Sequence, residues 1–489
     1  MQQAIRYFLL LALIALIGAP LPSFADEDAL FTSWDKIFST PPGAPEIQFG
    51  VILTGPHPYS ENSDVLFIPA SNTKLFTTAA ALENLGPDYR FETRLDWHRV
   101  RKKGQDKITD LNLVASGDPS WGLSELGETL RSRIDLLVAG LKSQGVTEIE
   151  GPIRFVSDDI RWDRLNYPTG WENDDAVSCY GALAQAFDMN RNCATYLLRQ
   201  GAWQEEGVLT PVHLDIQKGE VTRLLVQPIE LGQPGFIISG TLAEQDSPSL
   251  SLPILDPQQW IRQLFLDSLH DHGISVYPQV PPSHDPALRS ISFYSPPLSE
   301  ILRPFLKESM NLIGDALFKK LGETLDASAS DLLMAGQTIM KGYLSNTFSE
   351  FENAVLWDGS GVSRFNRVTP SLMMSLLQKL QETSDFKVVW DSLPIAGVDG
   401  TLAKRMRGTP AEGVLRAKTG TVRGAYNLSG YIPQFDAVGD VSEYFPFVML
   451  TNAASDDPNL SRNIENHAGA ALAAQINGEL SLDKIQAQY

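Results

Sequence analysis

The spacing of apolar positions divides the chain into three regions of different character. In the first, Ile47–Thr54 reads as a strand, Gly55–Asp64 as a turn and Val65–Pro69 as a second strand. From Ser71, the positions Leu75, Ala79, Ala80 and Leu82 keep a helical spacing, and Gly86-Pro87 supplies a stop signal. The middle region opens near Phe91. Its basic run Arg99, Arg101, Lys102, Lys103, followed by Gly104, reads as a solvated hairpin tip. Thr129–Leu141 predicts an amphipathic helix and Ile149–Val156 a strand. Tyr167–Asn192, rich in Gly, Asn, Asp and aromatic residues, reads as loop. Val221–Leu242 and Leu250–Leu255 predict strands with turns between them, Asp256–His270 a helix, and Tyr277–Pro286 a linker. In the last region, Leu298–Leu321 shows helical spacing around a loop, and Asp331–Leu344 and Ser371–Thr383 read as helices. Val414–Lys418, Tyr426–Ile432 and Phe445–Thr451 read as strands of an antiparallel sheet, closed by the Ala-rich helix Ile464–Ile476. No internal repeat is evident.

Ahead of these regions stands a different pattern. Arg6 precedes the apolar run Tyr7–Ile17, then the breakers Gly18, Pro20 and Pro22, then Ser23-Phe24-Ala25 and the acidic pair Asp26, Glu27. This is the layout of a secretory signal peptide cleaved near Ala25, and the run is short for an uncleaved membrane anchor. No Cys lies near the cleavage point, so a lipoprotein is not indicated, and no later stretch is apolar enough to span a bilayer. Export makes a disulfide permissible. Cys179 and Cys193 either bridge or remain two buried thiols. The bridge is the expectation, and across so short a loop it contributes about 3 kcal/mol.

Composition narrows the field. A chain of 489 residues suggests two to four domains at roughly 150 residues each. Hydrophobic residues at 43% and charged residues at 20% exclude a disordered or fibrous chain. With 39 Lys+Arg against 59 Asp+Glu, the net charge of −20 repels phosphate backbones, so nucleic acid is not an expected partner. Two Cys exclude a Cys-rich zinc module, and the seven His form no H-E-x-x-H pattern, so no metal or cofactor is expected. His270 and His272 are wrongly spaced to share a helical face, and Asp158-Asp159 reads as a solvated loop.

Ser71-Asn72-Thr73-Lys74 fits S-x-x-K at the start of a helix. A spacing of three puts the Ser hydroxyl and the Lys amine on one face. The hydroxyl needs a base, and a Lys amine serves if burial or another cation depresses its pKa. The motif alone is weak, for it recurs at Ser33/Lys36, Ser384/Lys387 and Ser481/Lys484. Ser309-Met310-Asn311 fits S-x-N, with decoys at Ser60/Asn62 and Ser461/Asn463. Lys418-Thr419-Gly420 occurs once, at the end of a predicted strand, where Gly lets substrate approach the backbone and Lys supplies charge. Order and context select Ser71, Ser309 and Lys418. Together they form the S-x-x-K, S-x-N, K-T-G set of serine penicillin-recognising enzymes.

The chain resembles the low-molecular-mass class C penicillin-binding proteins, the penicillin-binding protein 4 type of D-alanyl-D-alanine carboxypeptidase/endopeptidase. The likeness runs through Ile68–Lys74, Leu85–Phe91, Ser116–Pro119, Asp358–Arg364, Gly397–Leu402 and Ala417–Thr421. It implies a multidomain α+β and α/β chain. The transpeptidase-like core, an antiparallel sheet flanked by helices, would be built from residues 26–90 and 290–489. Residues 91–289 would form inserted domains, one mixed α/β with a smaller β-rich domain nested at about 185–250. It also implies roles: Ser71 as nucleophile, Lys74 as its base, Ser309 as proton relay, Asn311 as a hydrogen-bond partner of Lys74 or the peptide, and Lys418 as the source of positive charge. Thr419 and Thr421, around Gly420, would meet the substrate carboxylate, with the backbone N–H groups of Ser71 and Thr421 as oxyanion hole. Asp175, Tyr180 and Arg364 would form a pocket for a zwitterionic diaminopimelate side chain, although Asp174 offers an alternative register.

The activity so implied is hydrolysis of peptidoglycan stem peptides or their cross-links in the periplasm, with β-lactam antibiotics as covalent ligands. Two other readings are a β-lactamase, for which no Glu-x-x-x-Asn deacylation feature is seen, and a catalytically silent wall-binding protein. The residues leave the balance of carboxypeptidase and endopeptidase, and the oligomeric state, open.

Overall fold

The computed structural model describes residues 34–40 and 46–478, apart from internal stretches at 101–106, 164–165, 200–201, 205–211, 229–234, 280–283, 327 and 454–457. The expected signal peptide and the hairpin tip at Arg101–Gly104 lie outside the described residues. The chain divides into two units at Glu46–Ile47, and the first contributes one short helix, Trp34–Ile37, among the described residues. The second unit runs from Ile47 and carries its own sheets and helices.

Its central sheet has five strands, in the order Arg416–Val422, Ala425–Phe435, Val441–Ala453, Ile47–Leu53, Tyr59–Glu61, all antiparallel. The early strand Ile47–Leu53 thus sits beside the late strand Val441–Ala453, in register from Ile47↔Ala453 to Leu53↔Phe447. Side chains that alternate along Ala425–Phe435 reach opposite layers. The Tyr431 hydroxyl donates to Leu377 O in the helix Pro370–Glu382, and Gln434 Nε2 donates to Ile476 O in the closing helix Pro458–Asn477. The helix Thr73–Leu85 lies deep, with Thr73 through Leu82 all buried. It packs with Leu298–Lys307, Asn311–Leu325 and Leu332–Thr347 in one continuous apolar core.

A second core forms from residues between 95 and 274 together with Leu332. Its six-stranded mixed sheet runs Ser275–Tyr277, Glu148–Glu150, Lys107–Ala115, Glu92–Val100, His284–Tyr294, with Arg154–Ser157 also pairing Lys107–Ala115. The helices Ser132–Ser143 and Pro257–Asp271 supply its apolar faces. Two three-stranded sheets, built from strands between Cys193 and Pro253, extend from it.

Several predicted elements differ from those observed. The expected turn Gly55–Asp64 contains the outer strand Tyr59–Glu61. Val65–Pro69 is not a strand. It makes one isolated bridge, Phe67↔Val368, because the Phe67 ring lies against Gly50 and the segment crosses the sheet face before turning at Ala70, whose φ is +45°. Ile149–Val156 is two short strands rather than one, broken at Gly151, whose φ is +82°, and Pro152. The expected linker at Tyr277–Pro286 instead ends one edge strand and starts another, with Pro286 inside a register shift between His284 and Leu288 that spares it a ladder hydrogen bond. The expected boundary at 290 falls inside that second strand, which pairs with Glu92–Val100.

Candidate active site

Ser71 sits in a short 3-10 turn, Ala70–Asn72, at the mouth of the buried helix Thr73–Leu85. Such a turn aims a side chain off the helix end while the next turn stays in the core. One turn on, Lys74 is fully buried. Its Nζ lies 3.0 Å from Ser71 Oγ, 2.7 Å from Asn311 Oδ1 and 2.5 Å from Ser360 O. The last two atoms can only accept. A neutral amine has two hydrogens and one lone pair. The two acceptors take both hydrogens, and the lone pair is left for the Ser71 hydroxyl.

Burial lowers the pKa of Lys74 from 10.5 to about 7, against the opposing pull of Asp315 and Asp358. Asp315 lies one turn after Asn311 on the same helix, and its Oδ1 accepts from Gly359 N at 3.1 Å. Burial and the neighbouring Asp358 push its carboxyl up to about 8. Asp358 is spent on the loop that carries Ser360, accepting from Gly361 N (2.9 Å), Ser363 N (2.7 Å), Asn366 Nδ2 (2.8 Å) and Trp171 Nε1 (2.8 Å). It therefore holds the carbonyl that meets Lys74.

The S-x-N and K-T-G elements converge on the same place. Ser309, with φ +59°, occupies the tight turn between Leu298–Lys307 and Asn311–Leu325. Lys418 is fully buried on the edge strand Arg416–Val422, and burial with the nearby charge of Lys74 lowers its pKa well below the usual value. That strand lies close to the Ser71 turn. A Cβ on Gly420 would come within 2.8 Å of Pro69 O, so only glycine fits. The strands are tied to the turn by Asn72 Nδ2 to Ser429 Oγ (2.9 Å) and Asn427 Nδ2 to Ile68 O (3.0 Å). Thr419 Oγ1 meets Thr401 Oγ1 at 2.8 Å, and Arg462 donates to Thr421 Oγ1 at 3.4 Å.

Asp175, Tyr180 and Arg364 also come together. The Tyr180 hydroxyl donates to Asp175 Oδ1 at 2.9 Å, and Arg364 forks onto both oxygens of that fully buried carboxylate. Asp174 stays on the surface, with its carboxylate 3.8 Å from Arg423. Cys179 and Cys193 are joined as a disulfide. Of the decoys, Ser384 is exposed and Lys387 pairs with Asp391, Asn62 braces Phe49 O, and Ser461 is buried in the closing helix. Sequence reading missed Asp315 and, within the quoted stretch Asp358–Arg364, the roles of Asp358 and Ser360. Asp315 is four residues beyond Asn311 and so shares its helix face, but only the fold puts that face beside Lys74.

With this geometry in hand, known proteins are informative. A model of the D-Ala-D-Ala carboxypeptidase 3 (S13) family matches residues 45–475. The D-alanyl-D-alanine carboxypeptidase of Actinomadura sp. (strain R39) is 32% identical over 412 residues, 78% of this chain and 73% of that protein. D-alanyl-D-alanine carboxypeptidase DacB of Haemophilus influenzae is 26% identical over 410 residues, 79% of this chain and 81% of its own length. The fold is shared with the crystal structure of penicillin-binding protein 4 from Haemophilus influenzae, at a TM-score of 0.71 and 24% identity over 92% of this chain and 99% of the other. The family match spans both cores and the whole of the Ser71 cluster, and the chain belongs to the D-Ala-D-Ala carboxypeptidase 3 (S13) family of serine-type peptidases.

Proposed function

We propose that this enzyme is exported and, in the periplasm, removes the terminal D-Ala from peptidoglycan stem peptides and cuts the cross-links between them, through an acyl-enzyme on Ser71. The observation that carries this is the buried Lys74 Nζ within hydrogen-bond distance of Ser71 Oγ, Asn311 Oδ1 and Ser360 O. Once neutral, it gives its two hydrogens to the two pure acceptors and keeps its lone pair for the Ser71 hydroxyl. Ser71 Oγ attacks the penultimate D-Ala carbonyl as its proton passes to Lys74. The tetrahedral oxyanion is met by the Ser71 and Thr421 backbone N–H groups. Collapse breaks the C–N bond, and the proton leaves Lys74, through Ser309, for the departing amine. Water then cleaves the ester by the reverse proton route. Lys418 faces the substrate carboxylate beside Thr419 and Thr421. That carboxylate draws a proton onto Lys418 and, by charge repulsion, keeps Lys74 neutral. Asp175, Tyr180 and Arg364 bind the side chain of the stem's diamino acid.

The Haemophilus influenzae fold relative has been crystallised with a β-lactam, and the same attack on a strained lactam would leave a stable penicilloyl ester here. Fluorescent penicillin is expected to label the wild type and not Ser71→Ala. Absence of label on the wild type, or label retained on the variant, would reject the nucleophile. Mass analysis of muropeptides after digestion is expected to show loss of one D-Ala per pentapeptide and fewer dimers. Rapid turnover of the adduct with no change in muropeptides would favour a β-lactamase.

A further inference from the structure

The loop around Tyr180 does more than line a pocket. Its backbone runs along the catalytic helix Asn311–Leu325 and is fastened there at two points. Asn311 Nδ2 donates to Tyr180 O at 2.9 Å, and the buried Lys319 Nζ donates to Ala184 O at 2.6 Å. Between them, Ala182 and Ala184 pack against Leu312 and Ala316. We infer that the Tyr180 carbonyl is a positioning group for catalysis: it sets the orientation of the Asn311 amide, and the Cys179–Cys193 bridge holds it in place. This rests on the role given to Ser71 and Lys74 above.

The chemistry follows from what each atom can do. A backbone carbonyl only accepts, so it must face the NH2 side of Asn311. The amide oxygen is then turned to Lys74, where it occupies one amine hydrogen. If the amide turned over, its NH2 would face Lys74 and claim the lone pair that Ser71 needs. The carbonyl is anchored by its neighbours. Cys179 immediately precedes Tyr180 and is bonded to Cys193, which starts the strand Cys193–Arg199. Gly181 follows, so close to Asp175 that an added Cβ would lie 2.0 Å from Asp175 O. A loop of the middle region thereby completes the active site.

Benzylpenicillin carries no diamino-acid side chain, so its acylation rate reports the positioning alone. The test is stopped-flow acylation of the full-length protein as Gly181→Ala, which must displace the Tyr180 peptide, and as Cys179→Ser/Cys193→Ser, which frees it. Both variants are expected to be labelled to full stoichiometry with a rate constant lower by roughly tenfold to a hundredfold, as for a small misplacement of a catalytic group. Wild-type rate constants in both would overturn the inference. So would a lower labelled fraction whose members react at the wild-type rate, since that is a folding defect. Failure of the wild type itself to form an adduct would instead reject the nucleophile assignment.

Discussion

A lysine that acts as a base near neutral pH must hold its proton loosely, and burial does this for Lys74 by lowering its pKa to about 7. With Lys74 as the proposed base, acylation by penicillin is expected to rise with pH through about 7 and then level off. A rate flat from about pH 5 to pH 9 would point to another base. Lys418 is expected to matter by charge, and Lys418→Ala should slow acylation by roughly two orders of magnitude or more. An unchanged acylation rate would contradict that role. At this scale, the gathering of Ser71, Lys74, Asn311 and Lys418 was legible because their motifs rest on short spacings and local order. Asp315 and Asp358 were not. A carboxylate in a helix or a Gly-rich loop reads as surface charge, and only the approach of distant segments makes it a buried neighbour of Lys74.

At the scale of elements, the catalytic helix and the loop bearing Ser360 touch through glycines. A Cβ on Gly359 would lie 2.1 Å from Gly314 O, and one on Gly314 would lie 2.7 Å from Gly359 O. Gly359→Ala is therefore expected to push Ser360 O away from Lys74. It should lower the acylation rate and cost about 1–3 kcal/mol in denaturant melts; a variant matching wild type in both would show that the contact is loose. Helices were the most legible elements. Pro370–Glu382 starts one residue before its expected start, where Thr369 caps Leu372 N, and Pro257–Asp271 starts after the capping Asp256. Strands were read less well where they needed distant partners. The strand His284–Tyr294, which pairs with Glu92–Val100, was read as linker over its first three residues, where Pro286 stands, and was not read as a strand beyond them.

Over the whole molecule, two apolar cores stand side by side, one around the Ser71 helix and one around the middle-region sheet. Trp97, Trp121, Trp162 and Trp260 lie in the second core, and Trp390 lies in the first. Trp171 and Trp357 lie at the Asp358 loop, so tryptophan fluorescence reports on both cores, and penicillin acylation on the first. Their denaturation curves are expected not to coincide, and a single shared transition would show that the cores melt as one unit. Among the described residues no helix is long and apolar enough to cross a membrane. The split of the catalytic region around an insertion was legible in motif order, but the small sheets between Cys193 and Pro253 were legible only as scattered β-rich runs.

The pairing of Ile47–Leu53 with Val441–Ala453 also bears on timing. A polypeptide made from its amino end exposes Ser71 early, yet the neighbour of its first strand is among the last segments to emerge. Until then the sheet lacks its middle strand, and the strand that carries the buried Lys418 amine is not joined to the one that leads toward Ser71. The crevice between Ser71 and Lys418 therefore assembles only when the late strands arrive.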